Sequence, residues 1–424
     1  MIERKLKIIA ILASFFISFI NGKVAFALTL HEAIDTALKN NPSIQQKSKQ
    51  VVVQKEALAQ QDKKKSPTLS ANSSYQRHGA GGVTATHQGG AYNTGVTLEQ
   101  LIADSGKTEA NIRMAQFNLL SSEYDLKAAE NDLVKQIVEA YWTVLLNKGN
   151  VEIAKRKYDN FAMRKKWAES FYKVGTKAKI EVTNAASDLS TSQSELVKYE
   201  TKFENSKQKL AQILSIDASE IKDFEENLIY RDDKFDTTSS MQKALSSRPE
   251  ILSQKALLSA SNENYSLQKK GNSPSLSAGL GYNFGDTTYF DSDQWTAKLS
   301  ASMTLFDGGI TNSKIREAKA KKQIAESKLK EIEDTVKFEV GTAIVTMTQS
   351  SANYTATLEA EHAAEETLKL AQGRYKAGNG SSLEISDAIE KLANAQYNTL
   401  QAIYTFRASQ AEYIRAIGER YNEN

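Results

Sequence analysis

Arg374-Tyr375-Lys376-Ala377-Gly378-Asn379-Gly380 interrupts, once, an apolar-periodic run that extends from Phe306 to Gly418. Downstream of Gly309, apolar or small residues recur at Leu329, Ile332, Val336, Val340, Ile344, Met347, Ser351, Tyr354 and Leu358, steps of three or four that make a narrow coiled-coil-like seam. A glycine-bearing break in such a run predicts two long helices folded back on each other over 309–418, with Glu384 and Asp387 just past the turn.

An earlier stretch repeats this plan. From Ser105 to about Tyr172 only Gly149 interrupts a helical pattern, which at ~1.5 Å per residue predicts a helix on the order of 100 Å long. It turns at Val174-Gly175-Thr176 and returns through Leu189, Leu196, Phe203 and Leu210 to Leu214, so this hairpin covers 105–214. Ala37-Leu38 with Pro42 matches Ala244-Leu245 with Pro249, and Ser66-Pro67-Thr68-Leu69-Ser70-Ala71 matches Ser273-Pro274-Ser275-Leu276-Ser277-Ala278, both displaced by 207 positions. Asp104-Ser105-Gly106 matches Asp307-Gly308-Gly309 and Tyr172-Lys173-Val174-Gly175 matches Tyr375-Lys376-Ala377-Gly378, both displaced by 203. The chain is therefore a tandem duplication, with a first repeat at 28–216, a polar connector at 217–236 and a second repeat at 237–424.

Ahead of each long hairpin the period changes from helical to two. Leu276, Ala278, Leu280, Tyr282 and Phe284 alternate with Ser277, Gly279, Gly281 and Asn283, and Trp295 to Leu305 alternates likewise. The first repeat carries the weaker version, from Leu69 to Tyr75 and from Tyr92 to Leu98 across a glycine-rich loop. These predict strand pairs at 69–101 and 275–306, apolar on one face, polar on the other, with the aromatics Tyr75, Tyr92, Tyr282, Phe284 and Trp295 near one end. No segment after Ala27 approaches the roughly 20 apolar residues of a membrane-spanning helix, so any passage through a membrane is by strands. An open sheet edge in lipid leaves backbone groups unsatisfied at several kcal/mol each, and four strands cannot close a barrel. Copies from several chains must complete it, and the helices that leave and return to the strands then suit a hollow tube.

The start of the chain sets the compartment. Arg4, Lys5 and Lys7 precede an apolar run from Ile8 to Ile20 and the small-residue site Ala25-Phe26-Ala27, the pattern of a secretory signal peptide over 1–27. The formal charge of +3 lies entirely in that segment, where Arg4, Lys5, Lys7 and Lys23 outweigh Glu3, so the exported chain is neutral overall. No basic excess argues for nucleic acid. With no cysteine there is no disulfide framework, thiolate metal site or cysteine nucleophile. The four histidines, His31, His78, His87 and His362, have no second histidine at ligand spacing, and no Gly-x-Ser-x-Gly elbow occurs. Neither an enzyme nor a cofactor or metal site is expected.

Leu28-Thr29-Leu30-His31-Glu32-Ala33-Ile34 with Asn41-Pro42, the corner Leu305-Phe306-Asp307-Gly308-Gly309, and Arg374-Tyr375-Lys376-Ala377-Gly378 followed by Asp387-Ala388 resemble the outer membrane efflux proteins, the TolC-like channels. The resemblance covers both repeats in order. It implies a mixed α/β fold of mainly long helices: a homotrimer whose α-helical barrel crosses the periplasm and joins a twelve-stranded transmembrane β-barrel in the outer membrane, four strands per chain. It also implies work with a periplasmic adaptor and an inner-membrane transporter in a tripartite efflux or type I secretion system. The aperture would lie at the hairpin tips, with Tyr375 bonded to Glu181 and with Glu384 and Asp387 facing the opening. A second link known in part of the family would join positions that here hold Gly380 and Ile180. Glu384 and Asp387 would equally stabilise a helix N-terminus, by roughly 0.3 to 1 kcal/mol, and the two roles coexist. The reading from another class is an exported periplasmic structural or adaptor coiled coil without a pore.

Overall fold

The structure is a computed structural model that describes residues 28–77, 90–221, 223–224, 236–286 and 293–421. The signal segment, His78, His87 and most of the connector lie outside the described residues.

Each repeat opens with two helices, α1 (Leu30–Asn40) and α2 (Pro42–Lys63) in the first, α5 (Thr237–Ser247) and α6 (Pro249–Lys269) in the second. Their starts follow from side-chain caps. Thr29 and Glu32 satisfy each other's backbone N–H in a capping box at α1, and Asp236 accepts from Thr238 and Ser239 at α5. Pro42 and Pro249 occupy the first helical positions of α2 and α6, where a missing N–H costs nothing.

The strands are β1 (Thr68–Arg77), β2 (Gly90–Ala103), β3 (Ser275–Asp286) and β4 (Asp293–Ser302). They form one antiparallel sheet in sequence order, with β2 and β3 joining the two repeats. The alternation is real: Leu69, Leu98 and Leu280 lie across from one another on one face. That apolar face is uncovered, with Leu69 72%, Trp295 74% and Leu299 72% exposed. The strand expected to reach 306 stops at Ser302, because nothing among the described residues pairs with its outer edge.

Four helices form the two hairpins: α3 (Lys107–Lys173) with α4 (Lys179–Leu214), and α7 (Ile310–Lys376) with α8 (Ser382–Ala416). The two long ones have 67 residues each. Among the described residues no helix is long and apolar enough to cross a membrane. Helix α3 is the axis, packing on α2, α4, α6 and α8.

The core is divided along the length. The largest part gathers Leu30 and Ile34 of α1, Ile137, Tyr141 and Trp142 of α3 and Leu214 of α4, reinforced by Phe224, whose neighbour Asp223 accepts from the Leu28 N–H at 2.9 Å. A smaller cluster joins Ile251 to Val336 and Val340. Beside it Arg415 of α8 bonds Glu412 at 2.9 Å and Glu339 at 3.1 Å, while buried Arg248 bonds Glu339 at 2.5 Å. The third cluster, at the hairpin tips, holds the candidate site.

Candidate functional site at the hairpin tips

Both tips turn on a left-handed glycine, Gly175 (φ +74°) and Gly378 (φ +79°), a conformation that a side chain makes costly. The two turns then diverge. At the second, Asn379 and Gly380 both donate to the Arg374 carbonyl at 3.0 Å, and Ser381 caps α8 by accepting from the Glu384 N–H at 3.0 Å. At the first, Ala178 precedes α4 and gives no side-chain cap. Gly380 is tucked against the end of α7, where an added Cβ would lie 2.8 Å from the Tyr375 nitrogen. A side chain cannot enter there without moving the turn, and Ile180 is 66% exposed. Neither residue supplies a second link.

Tyr375 is buried between the hairpins. Its ring lies 5.7 Å from Phe171 and 6.2 Å from Trp167 of α3, and it packs with Phe161, Leu368 and Ile385. Burial, with the charge of Glu181 next in importance, pushes its phenol above the usual tyrosine range. Glu181 thus stands close enough to be felt. Yet no hydrogen bond joins the buried Tyr375 Oη to the buried Glu181 Oε2; the hydroxyl beside the phenol is that of Ser382, which offsets part of the rise. The tyrosine–glutamate bond implied by the resemblance is not formed here, and the Tyr375 ring holds the tip by packing.

Glu384 lies in the first turn of α8, with an Oε1 3.4 Å from Arg374 Nη1 of the preceding helix. Asp387, one turn on, is exposed and has no ion pair among the described residues. The two carboxylates share a face, but Arg374 partly neutralises the first.

The residues that sequence reasoning missed are the polar ties between hairpins. Arg164 of α3 is 2% exposed; it pairs with Asp188 of α4 and donates to Ser382 Oγ of α8 at 2.6 Å. Ser386, also on α8, donates to Asp188 at 3.1 Å. Farther from the tip, Lys157 of α3 reaches Glu195 of α4 at 2.5 Å and Glu390 of α8 at 2.8 Å. Burial lowers the Lys157 pKa, but these two carboxylates outweigh it and hold the ammonium above its usual range. Beyond them Tyr199 and Tyr397 stack at 4.9 Å, joining α4 to α8. A signal existed: Lys157, Phe161, Arg164 and Ala168 fall at steps of three and four, on the packed face. A basic run at Arg164-Lys165-Lys166 disguises it as solvated surface.

The aromatics expected near one end of the sheet do meet there. Tyr75 and Tyr92 pair across strands with ring centres 4.7 Å apart, Tyr282 stands opposite Trp295, and Tyr282 packs edge-on against Phe284 at 4.8 Å. Among the described residues no group of histidines and carboxylates converges to hold a metal.

The family profile described as outer membrane efflux protein matches residues 33–215 and 240–419, one stretch per repeat. Outer membrane protein TolC of Vibrio cholerae is 21% identical over 300 residues, 69% of this chain and 68% of that one. Outer membrane efflux protein BepC of Brucella suis is 20% identical over 409 residues, 94% and 87% of the two chains. The CmeC outer membrane channel of Campylobacter jejuni superposes with a TM-score of 0.81 at 20% identity, over 93% of this chain and 87% of that one. At such identities the structural likeness speaks for the fold, and the profile, which spans both repeats, speaks for the family. The chain belongs to the outer membrane efflux protein family and is an outer membrane efflux channel.

Proposed function

We propose that this channel is a homotrimer, a passive exit duct that receives cargo from an inner-membrane transporter through a periplasmic adaptor and is gated at its hairpin tips. The observation that carries the reading is the four-stranded sheet with an uncovered apolar face and, among the described residues, two unpaired edges, continuous with 67-residue helices. In lipid such edges must be closed, and three copies give twelve strands. The aromatics Tyr75, Tyr92, Tyr282, Phe284 and Trp295 then sit at a membrane interface, where amphipathic rings are favoured. With the strands in the outer membrane, the helices that lead away from them carry the tips to the far end of the tube, in the periplasm.

At those tips Tyr375 wedges the two hairpins together and Arg164 ties α8 to the first hairpin. Opening requires α8 to move off α3, which breaks the Ser382 bond and uncovers the Tyr375 ring. Glu181, Glu384 and Asp387, three times repeated, surround the constriction with negative charge, which favours cations in a pore. The pore-less coiled-coil alternative offers no role for a sheet with two bare edges.

Extraction of the full chain in detergent, followed by mass measurement and reconstitution in a planar bilayer, tests the reading. A trimer with stepwise conductance is expected; a monomer that conducts nothing would refute it.

A further inference from the structure

The joint that each chain makes with itself, β2 against β3, foretells the joint it makes with a neighbour. We propose that β4 docks on β1 of a second copy with Leu299 opposite Tyr75, Ala301 opposite Ser73 and Met303 opposite Ala71, and that Arg316 of α7 pairs with Glu56 of that copy's α2. The register rests on the trimeric reading above but is not part of it, since a trimer could close in several registers.

The duplication supplies the rule. Moving β1 by 207 positions and β2 by 203 carries the pair Thr68 and Glu99 onto Ser275 and Ser302, and Arg77 and Gly90 onto Phe284 and Asp293; the structure makes all four pairs. Between repeats, β2 meets β3 at Val96 with Tyr282, Leu98 with Leu280, and Gln100 with Ala278. The same displacements carry those three pairs onto Leu299 with Tyr75, Ala301 with Ser73 and Met303 with Ala71 of the next copy.

Chemistry that played no part in this construction agrees with it. The pairs on one face are apolar or small, while the intervening pairs, Ser300 with Ser74 and Ser302 with Asn72, are polar. A slip of one residue would set the polar face of β4, Lys298 included, against the apolar face of the neighbour's β1, because side chains alternate with period two. The outer end of β4 points the same way. Strand β2 continues to Ala103 because Ser277 and Leu276 pair with it, whereas the equivalents beyond Ser302 have no partner; there Met303 is 54%, Leu305 83% and Phe306 87% exposed. A second copy's β1 would extend β4 through these residues.

The helices repeat the argument. Arg113 of α3 bonds Glu263 of α6 at 2.9 Å across the in-chain joint. The same displacements lead to Arg316 and Glu56, again an arginine and a glutamate. Within one copy, among the described residues, Arg316 donates to the Ser313 hydroxyl and neither Arg316 nor Glu56 has an ion pair. Val53, 56% exposed, corresponds to Ala260, 6% exposed at the in-chain joint, and α7 of the neighbour would cover it.

One difference separates the joints. In the chain, Ser105 donates to the Pro274 carbonyl at 2.7 Å and Lys107 to those of Gly271 and Ser273 at 2.9 Å each. Their equivalents are Gly308 and Ile310, which have no side-chain donor. The joint between copies therefore lacks these side-chain bonds.

The chain has no cysteine, which makes cross-linking in intact outer membranes clean. Ser300→Cys with Ser74→Cys, and Ala301→Cys with Ser73→Cys, are expected to give covalent trimers on non-reducing gels under mild oxidation. The shifted pairs Lys298→Cys with Ser74→Cys and Ser302→Cys with Ser74→Cys are expected to give several-fold less. Stronger linkage in a shifted pair overturns the register, and no linkage in either matched pair of a conducting trimer overturns the joint. Arg316→Glu should deplete the heat-resistant trimer several-fold and Glu56→Arg added to it should restore the band; absence of restoration overturns the helix pairing. A wild-type chain that is neither trimeric nor conducting would instead refute the channel assembly itself.

Discussion

The Arg164 guanidinium, buried on the first hairpin, donates a 2.6 Å hydrogen bond to the Ser382 hydroxyl in the first turn of the second hairpin's return helix. Asp188 holds the same guanidinium from the other side and accepts from Ser386 as well. One arginine therefore spans the two helices that an opening motion would separate, at a tip where Gly380 and Ile180 supply no link.

Arg164→Ala should loosen the tip. A hydrogen bond to a charged group contributes about 1.5 to 3 kcal/mol, so the open population is expected to rise on the order of tenfold, read as conductance in a planar bilayer. Ser382→Ala, which removes one bond and leaves Arg164 paired with Asp188, should give a smaller rise. Equal, wild-type conductance in both variants would show that the tie does not restrain the gate.

Tyr375 separates a ring effect from a hydroxyl effect. Because no hydrogen bond joins its hydroxyl to Glu181, Tyr375→Phe should leave conductance near wild type, with or without Glu181→Ala. Tyr375→Ala removes an aromatic ring from a packed cluster, a change that costs about 3 to 5 kcal/mol in protein cores, and should open the tip. A large response to the Phe variant would mean that the hydroxyl carries the restraint after all.

The aperture carboxylates should be unequal. Arg374 stands 3.4 Å from Glu384, while Asp387 is exposed without an ion pair among the described residues. Asp387→Ala is expected to reduce cation selectivity more than Glu384→Ala, measured as the shift of reversal potential in a salt gradient. If neither variant moves it, the pair acts only as helix N-terminal charge.

Acid should weaken the anchor of α8. Burial raises the Glu412 pKa, but hydrogen bonds from Arg415 and Lys135 outweigh that and hold the carboxyl below its ordinary value of 4.5. The stabilising contribution of a depressed carboxyl is complete above that value and is lost as pH falls through the folded pKa. Thermal unfolding followed by circular dichroism should show stability dropping below about pH 4.5, and Glu412→Gln should flatten that acid limb while lowering stability at neutral pH. An unaltered limb would assign the acid sensitivity elsewhere.

Much of the architecture is legible in the chain because it is periodic. Steps of three and four from Leu329 onward, alternation from Leu276 to Phe284, and the paired displacements of 207 and 203 positions each report a face, and a face reports a neighbour. The tip was legible as a location, through Gly175 and Gly378, whose left-handed turns need a residue without a side chain. Its contacts were less so. Arg164 lies in a basic run, Arg164-Lys165-Lys166, that nothing local marks as buried, and a bond for the Tyr375 hydroxyl was implied by the family resemblance alone.

The sequence by itself determined the duplication, the strand faces, the long hairpins and the turns, because local periodicity and backbone propensity act within a few residues. Tertiary structure alone decided that Arg164 serves Asp188 and Ser382, that Lys157 bridges Glu195 and Glu390, and that Gly380 is closed to a side chain by the Tyr375 backbone. Those partners lie as far apart in sequence as Lys157 and Glu390, 390 − 157 = 233 positions, and which side chains meet depends on the axial offset of one helix against another. That offset is fixed by packing summed along the whole length of the pair, and no local stretch encodes it.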